Sequence, residues 1–283
     1  MNIALYSRKL EPKNTDSIRN LVLAFQNRGA NISFHQHFHA IFSSEVSYFS
    51  DELPSQTDLV LSLGGDGTVL ETAMLVKTSG IPVLGLNFGK MGFLAAQNDS
   101  FDEIAETIMQ RQYSLESRSL IELKTPNGMF QNHPFALNDI TILKKDRASM
   151  IGVHVSVNGQ RLSTIWADGI IVATPTGSTG YSLSCGGPIA FPDSPIFIIS
   201  PIAPHQLNVR PVVVPDHAEI ELSFKEKNIQ FAATLDSRTE WFDSNITLKV
   251  KKADFQFSLV RLPWENFPEN IRKKLQWGID IRN

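Results

Sequence analysis

A glycine-rich pentapeptide between an apolar run and a helical pattern could bind phosphate groups. Gly64, Gly65 and Gly67 surround Asp66, and Thr68 opens the apolar pattern that predicts a helix. Glycine takes positive φ without steric cost, which allows a tight turn, and a helix N-terminus directs N–H groups towards an anion. The carboxylate is unusual there and fits if it accepts a proton from a hydroxyl group or helps to hold Mg²⁺. The alternative is an ordinary turn aspartate.

A second stretch, residues 174–182, combines small residues with hydroxyl groups. Five serine and threonine side chains are interleaved there with Gly177 and Gly180. Such a stretch offers donors and acceptors with close backbone approach, which a sugar or a phosphate needs. Because apolar runs flank it, a binding loop is favoured over a solvated surface loop. Asp139 and Asp168 are isolated acids at predicted strand ends, where an aspartate alone is typical of a turn.

Three alternating histidines raise the question of a metal site. His35, His37 and His39 lie on or just after a predicted strand, a spacing that could place three imidazoles on one face. No cysteine or carboxylate close by in the sequence completes such a site. We therefore expect exposed or turn histidines, and we assign no metal ligand in the chain.

The composition indicates a globular protein. The chain has 283 residues, of which 42% are hydrophobic and 19% charged, with a formal net charge of −3. This charge predicts no broad attraction to nucleic acid or to anionic membranes. No apolar run approaches the ~18 residues of a membrane span, and we expect no signal peptide. Cys185 is the single cysteine, so we expect no internal disulfide and a reducing, cytoplasmic location.

The elements that must position these residues differ between the two parts of the chain. Strands are predicted at residues 3–6, 31–38, 59–63 and 81–86, with helices at 14–28, from 68 to about 80, and from 100. This alternation indicates a Rossmann-like parallel sheet covered on both faces, whose ligands bind beyond the carboxyl ends of the strands. The glycines of residues 64–67 and 89–92 both fall at that edge.

Beyond residue 115 the patterns are those of short strands. They are predicted at residues 136–143, 153–157, 169–173, 196–199, 220–224, 229–235, 246–250 and 255–262. Many short strands at close spacing indicate a β-sandwich. We predict an α/β domain over residues 1–115 and an all-β sandwich domain over 116–264. A helix within residues 265–283 is expected to pack back on the first domain.

Seven segments, in this order, give the chain a resemblance to the NAD kinases, the ATP-NAD kinase family in its bacterial type. They are GGDGT (64–68), NFGKMGFL (87–94), LND (137–139), ADG (167–169), TPTGSTGYSLSCGGP (174–188), PIAPHQLNVRP (201–211) and LDS (235–237). The first is shared with diacylglycerol-type lipid kinases, so the fifth and sixth make the resemblance specific. The resemblance implies transfer of the γ-phosphoryl group of ATP to the 2′-hydroxyl of the adenosine ribose of NAD. It also implies Mg²⁺ dependence and a homodimer or homotetramer.

The resemblance assigns roles to individual residues. Asp66 is implied as the proton acceptor for the ribose hydroxyl, and residues 64–68 as the site of the ATP phosphates. Leu70 and Phe93 are implied as apolar walls for NAD, and Tyr181 as an aromatic surface of the adenosine pocket. The residues implied to bind the two substrates are Gly64, Gly65, Gly67, Thr68, Leu70, Phe93, Asn138, Asp139, Asp168, Thr176, Thr179, Gly180, Tyr181, Ser182, Leu183, Ser184, Ala203 and Arg238.

Two positions depart from the family pattern. Asp139 stands where many relatives have glutamate, so its reach is one methylene shorter, and Trp166 replaces an arginine found in many relatives. We expect Arg238 to supply part of the missing positive charge towards phosphate, the alternative being a surface arginine. Two other functions stay open: a lipid kinase, disfavoured by the lack of a basic or amphipathic membrane face, and a non-catalytic NAD(H)-binding regulator, disfavoured by the retained Asp66.

Overall fold

The computed structural model describes residues 1–42, 46–88, 92–97, 100–145, 150–226 and 229–277. The chain forms two compact units: unit 1 comprises Met1–Ser117 and Phe257–Asn283, and unit 2 comprises Arg118–Gln256. Gly89 of the predicted second glycine turn and residues 278–283 of the predicted C-terminal helix lie outside the described residues.

The elements alternate in the first part of the chain and are mostly strands in the second. The first part contains β1 (Asn2–Tyr6), α1 (Thr15–Gln26), β2 (Asn31–His35), β3 (Ser47–Phe49), β4 (Leu59–Leu63), α2 (Asp66–Val76), β5 (Val83–Leu86), β6 (Ala95–Ala96) and α3 (Phe101–Met109). The second contains β7 (Ser114–Lys124), β8 (Phe135–Ala136), β9 (Asp139–Lys144), β10 (Ile151–Val157), β11 (Gln160–Ala167), β12 (Gly169–Ala173), α4 (Tyr181–Ser184), β13 (Ile196–Ile202), β14 (Val212–Pro215), β15 (Ile220–Phe224), β16 (Gln230–Leu235), β17 (Arg238–Asp243), β18 (Leu248–Arg261) and α5 (Phe267–Leu275).

Unit 1 contains a parallel sheet, in the order β18-β5-β4-β1-β2-β3. Every residue of β4 and β5 is buried, as expected of strands covered on both faces. The apolar face predicted for α1 contributes Ile18, Leu21 and Phe25 to the core of the unit. The predicted α/β class with a parallel sheet is confirmed.

Unit 2 is a sandwich of two antiparallel sheets. One has the order β11-β10-β15-β18, and the other has the order β14-β13-β12-β9-β16-β17. Val153 and Leu222 from the first sheet share one core with Ile140, Val172 and Phe231 from the second. Inward-facing residues of two packed sheets make such a core, so the predicted β-sandwich is confirmed. No helix in the described part of the chain combines the length and apolarity needed to cross a bilayer.

The predicted strand over residues 31–38 is too long. It ends at His35, and a 3₁₀ turn over Gln36–Ala40 follows, so the histidines do not alternate along one strand. His35 is buried with its ring 4.9 Å from that of Tyr6, and His37 Nδ1 lies 2.8 Å from a backbone oxygen. Local packing and turn geometry therefore decide the conformation of this segment, and the alternation of histidines does not indicate a strand.

Three further boundaries differ from the prediction. The predicted strand 136–143 is divided into β8 and β9, and the strands predicted at 246–250 and 255–262 are one continuous strand, β18. The hydroxyl-rich stretch is a 3₁₀ turn over Thr176–Thr179 followed by the single helical turn α4. In β18, Lys251 Nζ lies 3.3 Å from Glu122 Oε2 of β7, a contact between residues distant in sequence that the local pattern does not show.

Candidate active site

Asp66 is the first residue of α2, at the carboxyl end of β4. Its carboxylate accepts two backbone hydrogen bonds, to Oδ2 from the N–H of Phe93 at 2.6 Å and to Oδ1 from the N–H of Leu94 at 2.9 Å. These donors and the helix N-terminus both stabilise a negative charge. The side chain therefore has a defined orientation at the edge of the sheet where ligands of parallel sheets bind.

The glycines around Asp66 allow close packing. A Cβ at Gly64 would lie 2.2 Å from Thr68 Oγ1, and a Cβ at Gly92 would lie 1.9 Å from Asp66 Oδ1. Gly65 has φ −93°, and Gly67 lies in α2 with no atom within 4 Å of an added Cβ. The prediction that all three loop glycines serve through positive φ is wrong, because α2 begins at Asp66 and not at Thr68.

A cavity of about 180 Å³ adjoins this loop in unit 1. Its polar and charged lining includes Ser7, Arg8, Lys9, Glu11, Asn14, Gly64, Gly65 and Thr68. Arg8 and Lys9 directly follow β1, and Arg8 Nε lies 3.1 Å from Glu71 Oε1. Sequence reasoning missed these two cations, although their position just after the first strand of a parallel sheet was a usable signal. Arg8 and Lys9 therefore place two positive charges, and Glu11 one negative charge, around the cavity beside the predicted phosphate loop.

The predicted apolar walls in unit 1 are Leu70 and Phe93. Both are half-buried. The Phe93 ring lies 6.4 Å from the ring of Phe267, and Lys274 Nζ lies 4.7 Å from its centroid. Both neighbours belong to α5, so the C-terminal helix contacts a residue whose own N–H holds Asp66. The contacts of Leu70 and Phe93 with NAD stay predictions.

In unit 2, a buried carboxylate positions Asn138 and Asp139. Asp236 accepts backbone hydrogen bonds from Leu137 at 2.9 Å, from Asn138 at 2.8 Å and from Asp139 at 3.4 Å. It occupies the turn between β16 and β17 with φ +53°. Burial raises the pKa of its carboxyl group, and the N–H donors oppose that rise. Sequence reasoning did not assign Asp236 a role, although the LDS segment contained it.

The hydroxyl-rich stretch packs directly on this anchored segment. Thr174 Oγ1 donates to the carbonyl oxygen of Leu137, and a Cβ at Gly177 would lie 2.1 Å from the carbonyl oxygen of Asn138. A Cβ at Gly180 would lie 3.7 Å from Asn138 Nδ2 and 3.9 Å from Asp139 Oδ2. The structure therefore brings Asn138, Asp139 and Gly180 together, as a shared binding site requires.

Several predicted ligand-binding hydroxyls are occupied by protein contacts. Thr176 Oγ1 accepts a hydrogen bond from Arg118 Nη1 at 3.1 Å, and Ser182 Oγ lies 2.9 Å from Ser200 Oγ. All four residues are buried. Tyr181 is 43% exposed and can offer its ring to a ligand. Thr176 and Ser182 shape the turn, and their direct contact with a substrate stays a prediction, as do those of Thr179, Leu183 and Ser184.

Asp139 titrates in an unusual range. Burial raises the pKa of its carboxyl group to about 7, the hydrogen bond from Thr141 Oγ1 opposes this, and the charge of Asp236 adds to it. Close to neutral pH the group can therefore act as a hydrogen-bond donor or as an acceptor.

We expect Asp139→Asn to stabilise the protein at pH 8 by about 1–3 kcal/mol and to have little effect at pH 4. With a folded pKa above that of the unfolded chain, the native state binds more protons between about pH 4 and pH 7, so stability falls as pH rises through this window. Urea denaturation at several pH values measures the effect, with the exposed Asp193→Asn as the control. Equal pH dependence in wild type and Asp139→Asn would contradict it.

Three predicted residues of unit 2 lie in other surroundings. Asp168 Oδ1 lies 2.6 Å from Lys144 Nζ, and Ala203 is exposed with φ +46°. Arg238 donates to the carbonyl oxygens of His133 and Phe135. It lines a cavity of about 580 Å³ formed by residues 127–133 and 238–241. The guanidinium thus supports the backbone of His133 and of Phe135, the first residue of β8, and its contact with phosphate stays a prediction.

The residues around the loop are compatible with Mg²⁺ that enters with a nucleotide. Within the described ranges, no group of three or more His, Cys, Asp or Glu side chains could hold a metal ion by itself. Mg²⁺ in phosphoryl-transfer enzymes is usually held by one or two carboxylates together with substrate phosphates. Substrate phosphates held at the loop would therefore supply most of the ligands of such an ion.

The chain matches two protein-family models. ATP-NAD kinase N-terminal domain matches residues 13–113, and ATP-NAD kinase C-terminal domain matches residues 137–262. The NAD kinase of Cytophaga hutchinsonii is 39% identical over 292 residues, with 100% of each chain covered. The NAD kinase of Bacteroides fragilis is 38% identical over 289 residues, again with 100% of each chain covered.

Solved structures agree in fold. An NAD kinase from Archaeoglobus fulgidus in complex with ATP has a TM-score of 0.75 at 25% identity, and the match covers 98% of each chain. Yeast NADH kinase complexed with NADH has a TM-score of 0.84 at 23% identity, covering 99% of this chain and 89% of the other. At that identity, the yeast protein shows the fold alone.

Proposed function

Because this chain belongs to the ATP-NAD kinase family, we propose that it transfers the γ-phosphoryl group of ATP to the 2′-hydroxyl of the adenosine ribose of NAD, giving NADP and ADP. The observation that carries this proposal is the geometry around Asp66. An oriented carboxylate stands at a helix N-terminus, in a loop that adjoins a cavity with two cationic side chains. Phosphoryl transfer to a hydroxyl group needs cations that bind the phosphates of the donor and a carboxylate that accepts the hydroxyl proton.

Unit 1 would bind the donor and accept the proton. Arg8, Lys9 and the N–H groups of the loop would hold the ATP phosphates by charge and hydrogen bonds. As the bond between O2′ and Pγ forms, the bond from Pγ to the bridging oxygen breaks and ADP leaves. The hydroxyl proton passes to Asp66, a weak base that can act late in such a step. Mg²⁺, when bound with ATP, would neutralise phosphate charge.

Unit 2 would bind NAD. Asn138, Asp139 and Gly180 form a polar cluster, and Tyr181 provides an exposed aromatic surface next to it. Amide and carboxyl groups suit the hydroxyls of a ribose, and an aromatic ring suits a base. Asp236 would contribute by holding the first two of these residues in place.

We also propose a cytoplasmic homodimer or homotetramer. Leu207 and Val213 of unit 2 are 92% and 47% exposed, and a second subunit could cover such apolar side chains. Cys185 is a free cysteine, in keeping with a reducing compartment.

The purified protein is expected to form NADP when incubated with ATP, Mg²⁺ and NAD. An NADP-specific dehydrogenase coupled to the reaction measures the product. Parallel incubations with NADH, polyphosphate and diacylglycerol define both substrates. Phosphorylated diacylglycerol without NADP would indicate a lipid kinase, and NAD binding without ATP consumption would indicate a regulator.

A further inference from the structure

The C-terminal helix places a lysine beside the Asp66 loop within unit 1. Lys274 lies in the last turn of α5, with Nζ 4.7 Å from the centroid of the Phe93 ring. The N–H of the same Phe93 donates to Asp66 Oδ2 at 2.6 Å. One residue thus joins the lysine to the carboxylate, although Lys274 and Asp66 are far apart in sequence.

The neighbouring cation has a different environment. Arg261 Nε lies 2.6 Å from Glu116 Oε2, and its Nη1 lies 3.5 Å from Glu265 Oε1. Two carboxylates therefore balance the charge of Arg261, which also donates to the carbonyl oxygen of Phe93 at 3.2 Å. In the described part of the chain, Lys274 forms no ion pair, and its ammonium group lies over an aromatic face.

The positive charge of Lys274 is available to a bound anion. Burial lowers the pKa of its ammonium group to about 8, the negative charge of Asp66 opposes that decrease, and Arg261 contributes to it. An aromatic face holds a cation without neutralising it. The ammonium group therefore keeps its charge at neutral pH and would gain from a nearby phosphate.

We propose that Lys274 is a further phosphate-binding residue of this site, which contacts the γ-phosphoryl group of ATP both in the bound substrate and while that group is transferred. The proposal rests on the proposed function. If Asp66 takes the proton of the attacking hydroxyl, the γ-phosphoryl group must come close to this carboxylate. Two negative groups in contact need a cation between or beside them, and a lysine serves phosphate as a point charge. The rival interpretation is that the lysine stem only covers Phe93.

Lys274→Met tests the charge because methionine keeps an unbranched apolar stem. The matched control is Lys273→Met, which removes an exposed lysine of the same helix that pairs with Glu269 at 2.7 Å. We expect Lys274→Met to weaken equilibrium binding of Mg-ATP about 10- to 100-fold, the range for a lost hydrogen bond to a charged group. A similar loss is expected in kcat/KM for ATP. Binding of NAD and the Tm should match the control, and Lys274→Arg should recover much of the loss.

The pH dependence of kcat/KM for ATP distinguishes an electrostatic role of Lys274 from a structural one. The charged groups acting on Lys274 are Asp66, Arg261 and Glu265. Arginine stays protonated in proteins, so the charge of Arg261 does not change in this range. In the wild type, kcat/KM for ATP should fall as pH rises through about 8, where Lys274 loses its proton. Lys274→Arg should lack this decrease.

The outcomes distinguish the two proposals. If the wild type makes NADP while Lys274→Met equals Lys273→Met in Mg-ATP binding and in kcat/KM, Lys274 is structural and the inference is overturned. If no NADP forms, the proposed function fails, and Mg-ATP binding to the two variants still tests Lys274. Should Lys274→Met fail to fold, an unchanged alkaline limb in Lys274→Arg overturns the inference.

Discussion

Asp66→Asn lowers kcat at least about 10²-fold while the variant still binds NAD, because asparagine cannot accept the hydroxyl proton in the transfer step. The structure adds a second consequence. Asparagine has one side-chain acceptor oxygen, so the N–H of Phe93 or that of Leu94 loses its partner. We therefore also expect a loss of about 1–2 kcal/mol in the free energy of unfolding.

Gly92→Ala is the companion variant for Asp66. It keeps the carboxylate but places a Cβ where Asp66 Oδ1 now lies, at 1.9 Å. The carboxylate must move, so kcat should fall by about tenfold, a smaller loss than a missing base causes. Steady-state kinetics, NAD titration and urea denaturation on the variants at 66 and 92 separate the effects. Near-normal kcat in Asp66→Asn would make this aspartate a structural link between the loops after β4 and β5.

Asp236→Ala lowers the free energy of unfolding by about 3–5 kcal/mol and raises the KM for NAD. The substitution removes the acceptor of backbone N–H groups from Leu137, Asn138 and Asp139. Alanine is also strained at the φ of +53° found at this turn. Because the unmatched donors belong to the segment that carries Asn138 and Asp139, loss of stability and loss of NAD affinity should appear together.

Two further variants serve as controls for Asp236→Ala. Asp236→Asn keeps the shape and tolerates positive φ, so it should cost less, about 1–3 kcal/mol. Asp243→Asn, at the exposed end of β17, should stay within about 0.5 kcal/mol of wild type. Urea denaturation and NAD titration provide the measurements. A stable Asp236→Ala with weak NAD binding would separate the two roles and contradict the anchoring argument.

Hydrophobic patterns predicted both fold classes because the patterns report burial. The unbroken apolar run of β4 requires cover on both faces, and the alternation in β10 requires one core face. The hydrophobic patterns gave wrong strand boundaries where a side chain, and not a neighbouring strand, accepts the hydrogen bonds of the backbone N–H groups. The carboxylate of Asp236 takes the N–H groups of Leu137 and Asn138, so β8 and β9 are separate strands.

The sequence by itself determined the motifs, the order of the elements and the family, because glycine turns, hydroxyl-rich stretches and apolar periods are local properties. Tertiary structure decided which groups face one another. Asp66 finds its donors 27 and 28 residues away, and Asp236 holds amides 97 to 99 residues away. Lys274 and Asp66 interact only because α5 returns to unit 1. Hydrogen bonds and charges act over a few ångströms in space, and local sequence periodicity carries no information about such distant partners.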